Sequence, residues 1–315
     1  MPTSNKTKKN TNKKYYASIY PGPDKPIPTD FVKLIKKLEK ILNVEIWLLI
    51  QNGDDKDDSW EKSISGELCR SFRDHKKDMD NKNIALLIDS PGGCAHCSYK
   101  ISRLFQTHSK SFMTIIPQYA KSAATLLSLG AKEILMSIDA EFGPLDVQIL
   151  DIQREEVGSA LDAVQSLERL NAFSLTAIDQ IMQLLLIRTN KKIDTLLPYV
   201  LEYTTNFVRP LLEKIDTIDF TKKSRDLKEA EEYAIRLLKP NYHSEDEAKR
   251  IARHLVEKYP THRFPIDKNE AKTIFKSNCV KSIIISDTTS EIENIFCDLF
   301  KFIDELTIIG SIKEV

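Results

Sequence analysis

The chain has no net formal charge, no apolar run of membrane-spanning length and no phosphate-binding loop, and its start does not read as a secretory leader. Each absence removes a class of function. With 46 basic and 46 acidic residues among 315, no general field exists to hold a nucleic acid or an acidic lipid surface, so no nucleic-acid partner is expected. Consecutive apolar residues stop well short of the ~20 that a spanning helix needs, and no integral membrane segment is expected. The start, MPTSNKTKKNTNKK, is basic and polar without an apolar centre. It reads as a disordered basic tail over residues 1–27 and not as a leader. Without a glycine-rich phosphate loop, ATP-driven work would belong to a separate subunit. Five cysteines with no leader point to a reducing, cytoplasmic setting.

The chain has one CxxC, Cys94-Ala95-His96-Cys97, and no second CxxC or CxxH. Such a pair at a helix start serves as a redox couple or as half of a zinc site. Small residues packing a helix beside a turn explain it more economically, so no metal and no other cofactor is expected. Cys69, Cys279 and Cys297 are isolated in the sequence, and no internal repeat is evident.

What the chain does contain is concentrated between Ile84 and Gln148. Ile84 to Ile88 is continuously apolar, as a strand buried on both faces of a parallel sheet should be. It ends at Asp89-Ser90-Pro91-Gly92-Gly93, where two glycines open backbone angles closed to other residues. Ala95 to Phe105 then has helical spacing. Phe112 to Ile116 repeats the strand pattern, breaks at Pro117 and re-enters a helix-like stretch from Ala120 to Leu129. Ser122 therefore falls where a strand hands over to a helix, near unpaired N–H groups that favour developing negative charge. Its alanine neighbours leave room for a substrate. Oxyanion donors would be the N–H of Ala123 and of Gly93 or Gly92. Serine at such a junction is more often an N-cap; the pairing with the diglycine turn is what favours an acyl-transfer site.

These residues resemble a known family. The order SPGG, Tyr119-Ala120-Lys121-Ser122-Ala123-Ala124-Thr125, Ala131-Lys132-Glu133-Ile134, Gly143-Pro144-Leu145-Asp146-Val147-Gln148 and Thr261-His262-Arg263-Phe264-Pro265-Ile266 is similar to the Clp-protease and crotonase superfamily. The nearer likeness is to its serine dehydrogenase proteinase branch, related to signal-peptide peptidases. The resemblance implies an α/β fold of repeated β-β-α and β-α units with a mainly parallel sheet and a helical C-terminal part. It also implies a serine peptidase that forms an acyl-enzyme with a Gly-Gly oxyanion hole, acts on peptide or protein substrates without ATP, and assembles as a homo-oligomer. Two other readings compete: a crotonase-like acyl-CoA enzyme, and a non-catalytic scaffold of the same fold.

The histidines test the order of the machinery independently. None of the six lies between His108 and His243, so a base a few tens of residues after the serine is absent. Ser244 and Glu247 make a capping box, after which Ala248, Ile251, Ala252, Leu255 and Tyr259 trace one helical face. His254 falls on the opposite, solvated stripe. His262 follows in a proline-stiffened loop and is the expected general base, with Asp146 orienting it. Arg263 stands where the family often carries an acid, so Asp139, Asp151 and Asp267 remain alternative orienting carboxylates. Lys121 adjoins the serine, but neighbouring helix positions diverge by about 100°, and it is read as a charge on the pocket rim.

Alternating strands and helices extend upstream. Asp30 is expected to cap a helix from Phe31 to Leu42, followed by a strand over Val44 to Ile50, an acidic loop over Gln51 to Ser59 and a helix over Ser63 to His75. From Glu155 long helices follow, with Val157, Ala160, Leu161, Val164 and Leu167 in one stripe and a richly apolar Ile178 to Ile187. Beyond Ser277 come a short strand at Ser282 to Ser286 and a helix over Ile292 to Ile303. The expected partition is the tail over 1–27, a catalytic core over 28–150, a helical region over 151–276 completing the site and the oligomer interface, and an extension over 277–315.

Overall fold

Strand residues that alternate between two separate apolar cores define the architecture of the computed structural model, which describes residues 13–51, 61–146, 148–151, 156–242, 244–276 and 283–315. In chain order the first half runs β1 (Tyr15–Ala17), α1 (Thr29–Leu42), β2 (Glu45–Ile50), α2 (Gly66–Asp74), β3 (Asn83–Asp89), α3 (Ala95–His108), β4 (Ser111–Ile116), β5 (Tyr119–Ala120), α4 (Ala123–Ser128), β6 (Glu133–Met136) and β7 (Glu141–Phe142). The second half runs β8 (Gln148–Asp151), β9 (Glu156–Ser159), α5 (Ala160–Thr189), α6 (Ile193–Leu212), α7 (Thr217–Leu238), α8 (Glu245–Glu257), β10 (Ile266–Asp267), α9 (Lys268–Phe275), β11 (Ile284–Ser286), α10 (Ser290–Ile303) and β12 (Ile308–Glu314).

The main sheet has seven strands in the order β1-β12-β2-β3-β4-β6-β11. From β2 to β11 every neighbour is parallel, with Glu45 opposite Ile84, Ile84 opposite Phe112 and Met113 opposite Glu133. This is the mainly parallel α/β sheet that the continuous apolar runs require. Ile84, Leu86 and Ile88 of β3 face one core, built with α2, α3, α4, α7, α8 and α9. Ala85 and Leu87 face the other, closed by α1 and α10. In the first core Trp47, Phe72 and Phe105 pack at ring separations of 5.7–6.0 Å, distances that favour tilted and edge contacts.

Several expectations change. Asp30 does not cap α1; Pro28 holds that position without a side-chain bond, and Asp30 lies in the first turn, where it pairs with Lys33 at 2.8 Å. Within the expected tail, Tyr15–Ala17 forms β1 against β12. The segment after residue 283 is built into the sheet: β11 extends one edge, and β12 runs antiparallel between β1 and β2. Val157 belongs to a β8–β9 hairpin, so the first long helix begins only at Ala160, where Ser159 caps it through the Asp162 N–H at 3.1 Å.

The long helices α5 and α6 expose much apolar surface, including Phe173, Leu175, Ile187, Tyr199, Tyr203 and Phe207. Helix α5 is 30 residues long, with a mean hydropathy of 1.4 over an 18-residue window of which 6% is buried. By length and average composition it could cross a membrane, although its consecutive apolar runs stay short of the expected span. Scattered Ser, Thr, Asn and Gln interrupt its apolar runs without lowering its average far.

Candidate active site

Parallel neighbours end on the same side of a sheet, so the turns after β3 and after β4 emerge together. Their main chains are stitched to each other. The Ser90 N–H donates to the Tyr119 carbonyl at 3.2 Å, and the Lys121 N–H donates back to the Ser90 carbonyl at 3.0 Å. The Ser90 hydroxyl is fully buried; it donates to Gln51 Oε1 at 2.6 Å and accepts the Gly92 N–H at 3.1 Å. Gly92 and Gly93 have φ of +105° and +138°. A Cβ on Gly92 would sit 2.6 Å from the Lys121 carbonyl oxygen and 3.0 Å from Ser122 Cβ; one on Gly93 would sit 2.5 Å from the Ile64 carbonyl oxygen. Only glycine permits both the angles and the approach. Ile64 fixes the turn from the other side, donating to the Gly92 carbonyl and accepting from the Cys94 N–H, both at 2.7 Å.

Ser122 has φ 49° and ψ −117° and does not cap α4 through its side chain. A residue with a Cβ in such a conformation carries on the order of 1–3 kcal/mol of strain. Among the described residues its hydroxyl has no hydrogen-bond partner. The Gly92 N–H is engaged by Ser90, whereas the N–H groups of Gly93 and Ala123 donate to nothing among the described residues. Of the two glycines expected as donors, only Gly93 therefore has a free N–H.

The Gly143-Pro144-Leu145-Asp146 turn is brought in by Thr125. Its hydroxyl is 2.7 Å from the Ala120 carbonyl oxygen and accepts the Gly143 N–H at 3.1 Å. A Cβ on Gly143 would lie 3.2 Å from the Ser122 nitrogen. Two residues on, the Leu145 N–H donates to the Leu255 carbonyl in α8 at 2.9 Å. Asp146, 4% exposed, accepts the Leu161 N–H at 3.3 Å and a hydrogen bond from Ser159. Burial raises its pKa, while those two bonds and the nearby His262 act against the rise.

His262 lies in the turn after α8, half-buried, with Nδ1 buried and unpartnered among the described residues. Burial lowers its pKa. The Asp146 carboxylate and a hydrogen bond from the ring to the Asp146 backbone oppose that, and Arg263 and Lys121 reinforce it. Ser122, Gly93, Ala123, Asp146 and His262 all line one cavity of about 450 Å³. A serine with a free hydroxyl, two free amides and an imidazole beside a carboxylate thus share one space.

The other candidates lie elsewhere. Asp139 is exposed, and Asp267 caps α9, accepting the Asn269 and Glu270 N–H groups at 2.8 Å. The Asp151 side chain and His243 lie outside the described residues. Lys121 pairs with Glu141 and reaches the Phe142 carbonyl at 3.4 Å, which fixes it at the rim. His254 is half-buried, with its ring 5.7 Å from that of Tyr259, and not solvated as its helical stripe implied. Among the described residues no group of three or more His, Cys, Asp or Glu is placed to hold a metal. Sequence reading missed Ser90, Thr125 and Ser159. Ser90 was legible in the SPGG motif, but the other two act only through partners distant in the chain.

Residues 60–195 match the family model for ClpP-like SDH-type serine proteinases. Two proteins of Methanocaldococcus jannaschii, the uncharacterized MJ1495 and MJ0137, are 28% and 27% identical over 210 residues. Those alignments cover 67% of this chain and 56% and 57% of theirs, so the chain spans a little over half the length of these curated relatives. Among solved structures, a point mutant of ClpP1 from Listeria monocytogenes is 14% identical, over 34% of this chain and 58% of its own, with a TM-score of 0.24. A mutant of the 1510-N membrane-bound stomatin-specific protease in complex with a substrate peptide is 20% identical, over 37% of this chain and 54% of its own, with a TM-score of 0.26. The stretch holding the diglycine turn, Ser122 and Asp146 thus lies within the match to the ClpP-like SDH-type serine proteinase family model.

Proposed function

We propose that the protein hydrolyses peptide bonds through an acyl-enzyme on Ser122. His262 takes the hydroxyl proton and returns it to the leaving amine, Asp146 orients the imidazole, and the N–H groups of Gly93 and Ala123 hold the oxyanion. The observation that carries this reading is a serine with positive φ and a free hydroxyl, in one cavity with a free glycine amide and a late imidazole. The reading requires the hydroxyl–imidazole hydrogen bond to form when substrate arrives, as catalytic hydrogen bonds often do. An active-site fluorophosphonate should label the wild type and not Ser122→Ala. Labelling that survives the substitution overturns the assignment.

The same reading takes the reaction as ATP-independent and cytoplasmic, with subunits associating through α5 and α6. Exposed apolar side chains along both helices support that association, because soluble monomers rarely show so extended a patch. Mass photometry without detergent should find multiples of 36.1 kDa. A monomer that partitions into liposomes refutes the assembly.

A further inference from the structure

One thiol sits on the rim of the candidate cavity, with a second one helical turn behind it. Cys94 is exposed, lines the cavity next to Gly93, and caps α3 by accepting the Cys97 N–H on Sγ at 3.4 Å. Cys97, one helical turn on, is 7% exposed, and its thiol hydrogen-bonds to Cys94. Both are free. A disulfide requires Cβ atoms within about 4.5 Å of each other, and one helical turn with the Cys97 N–H already on Cys94 Sγ brings the two side chains together. One sulfur is open to reagents in the cavity; the other is shielded behind it.

We propose that Cys94 and Cys97 form a reversible dithiol–disulfide site, in which Cys94 reacts first with a hydroperoxide and Cys97 resolves the product. The Cys94 thiolate attacks the peroxide oxygen, the O–O bond breaks, the alcohol leaves with a proton, and Cys94 becomes a sulfenic acid. The Cys97 sulfur then attacks the Cys94 sulfur, and hydroxide leaves with the Cys97 proton as water. The two thiols are oxidised by two electrons in total, and the hydroperoxide is reduced to alcohol and water. The order follows from exposure. Burial first, then the hydrogen bond and charge of Cys94, push the Cys97 thiol up to about 12; oxidation of Cys94 removes the last two causes at the moment Cys97 must act. A sulfenic oxygen on Cys94 occupies the cavity beside Gly93, and transfer to Cys97 draws the sulfur back onto α3. That consequence for Ser122 rests on the peptidase reading; the thiol chemistry does not.

The test uses the full chain, treated with stoichiometric hydrogen peroxide and then an alkylating agent. Asn83 to Lys100 is one tryptic peptide carrying both thiols. In the wild type it should contain an internal disulfide that dithiothreitol reopens, with two alkylatable thiols lost. Cys97→Ser should stop at a dimedone-reactive sulfenic acid on Cys94, and Cys94→Ser should leave Cys97 alkylatable. Persistent alkylation of both thiols in the treated wild type overturns the proposal, and so does a bond from Cys94 to half-buried Cys69. Fluorophosphonate labelling should fall about tenfold or more in treated Cys97→Ser, the scale of a misplaced reacting group, and much less in treated wild type. If no untreated form labels, the peptidase reading fails while the mass measurement still decides the thiol site.

Discussion

Replacing Ser122 with glycine should make the protein more stable than replacing it with alanine, although both lose the hydroxyl proposed as nucleophile. At φ 49° and ψ −117° a residue with a Cβ carries about 1–3 kcal/mol of backbone strain, which glycine does not. Against that, glycine gives the unfolded chain more freedom, costing about 0.5–1 kcal/mol. Alanine keeps the strain and removes a hydroxyl that bonds to nothing among the described residues, so Ser122→Ala should lie within about 0.5 kcal/mol of the wild type. Ser122→Gly should therefore exceed Ser122→Ala by up to about 2.5 kcal/mol, with about 1 kcal/mol at the middle of both ranges, a shift of a few degrees in Tm for a chain of this size. Urea unfolding followed by circular dichroism on the three proteins, with fluorophosphonate labelling alongside, measures both properties. A glycine variant no more stable than the alanine variant would refute the claim that this backbone is held under strain for the sake of the hydroxyl.

Gly92→Ala must place its Cβ 2.6 Å from the Lys121 carbonyl oxygen at φ +105° and should lose both labelling and at least ~2 kcal/mol of stability. Gly66→Ala, with open space around it, should be near neutral in the same urea series. Burial lowers the His262 pKa, so labelling should reach its plateau below the ordinary imidazole range near 6.5; Asp146→Asn, by removing the charge that raises that pKa, should slow labelling and move the plateau lower still. An unmoved plateau in Asp146→Asn would show that the carboxylate does not act on the base. Asp89 is 3% exposed, and burial raises its pKa from 3.8 to about 8 against hydrogen bonds from Tyr119. Its folded form binds the proton more tightly than its unfolded form, so wild-type stability should decline as pH rises from about 4 to about 8 and then level off. Asp89→Asn should remove that part of the slope in urea midpoints, and parallel curves for the two proteins would contradict it.

The parallel strands were legible because a strand buried on both faces has no polar alternation to blur it, and β2, β3 and β4 fall within two residues of the apolar runs that mark them. The turns were legible for a related reason: SPGG and GPLD use residues with few backbone options. The sheet edges were not. Tyr15–Ala17 pairs with residues 312 to 314, and no local pattern reports a partner so far along the chain. Val157 fits a helical stripe as well as a strand, and the β8–β9 pairing decides it. Asp30 had the composition of a cap but lost the position to Pro28, whose fixed φ suits a helix entrance. For the site, residue identity singled out Ser122, Asp146 and His262. What identity could not supply was the state of each group: that Gly92 is engaged by Ser90, that Lys121 is held by Glu141, and that His254 is shielded by Tyr259.

The bonds around Ser90 and Leu145 tie the walls of the cavity to two different elements. Ser122, Gly93 and Ala123 ride on the sheet, clamped through Ser90, Ile64 and Gln51; Asp146 and His262 ride with α8, through the Leu145–Leu255 bond and the turn that continues the helix. The two anchors meet again elsewhere: Ile266, four residues after His262, pairs with Phe142 of β7, and Ile251 and Leu255 of α8 share one buried core with β3. The imidazole and carboxylate are therefore held against the sheet by packing as well as by the turn that carries them.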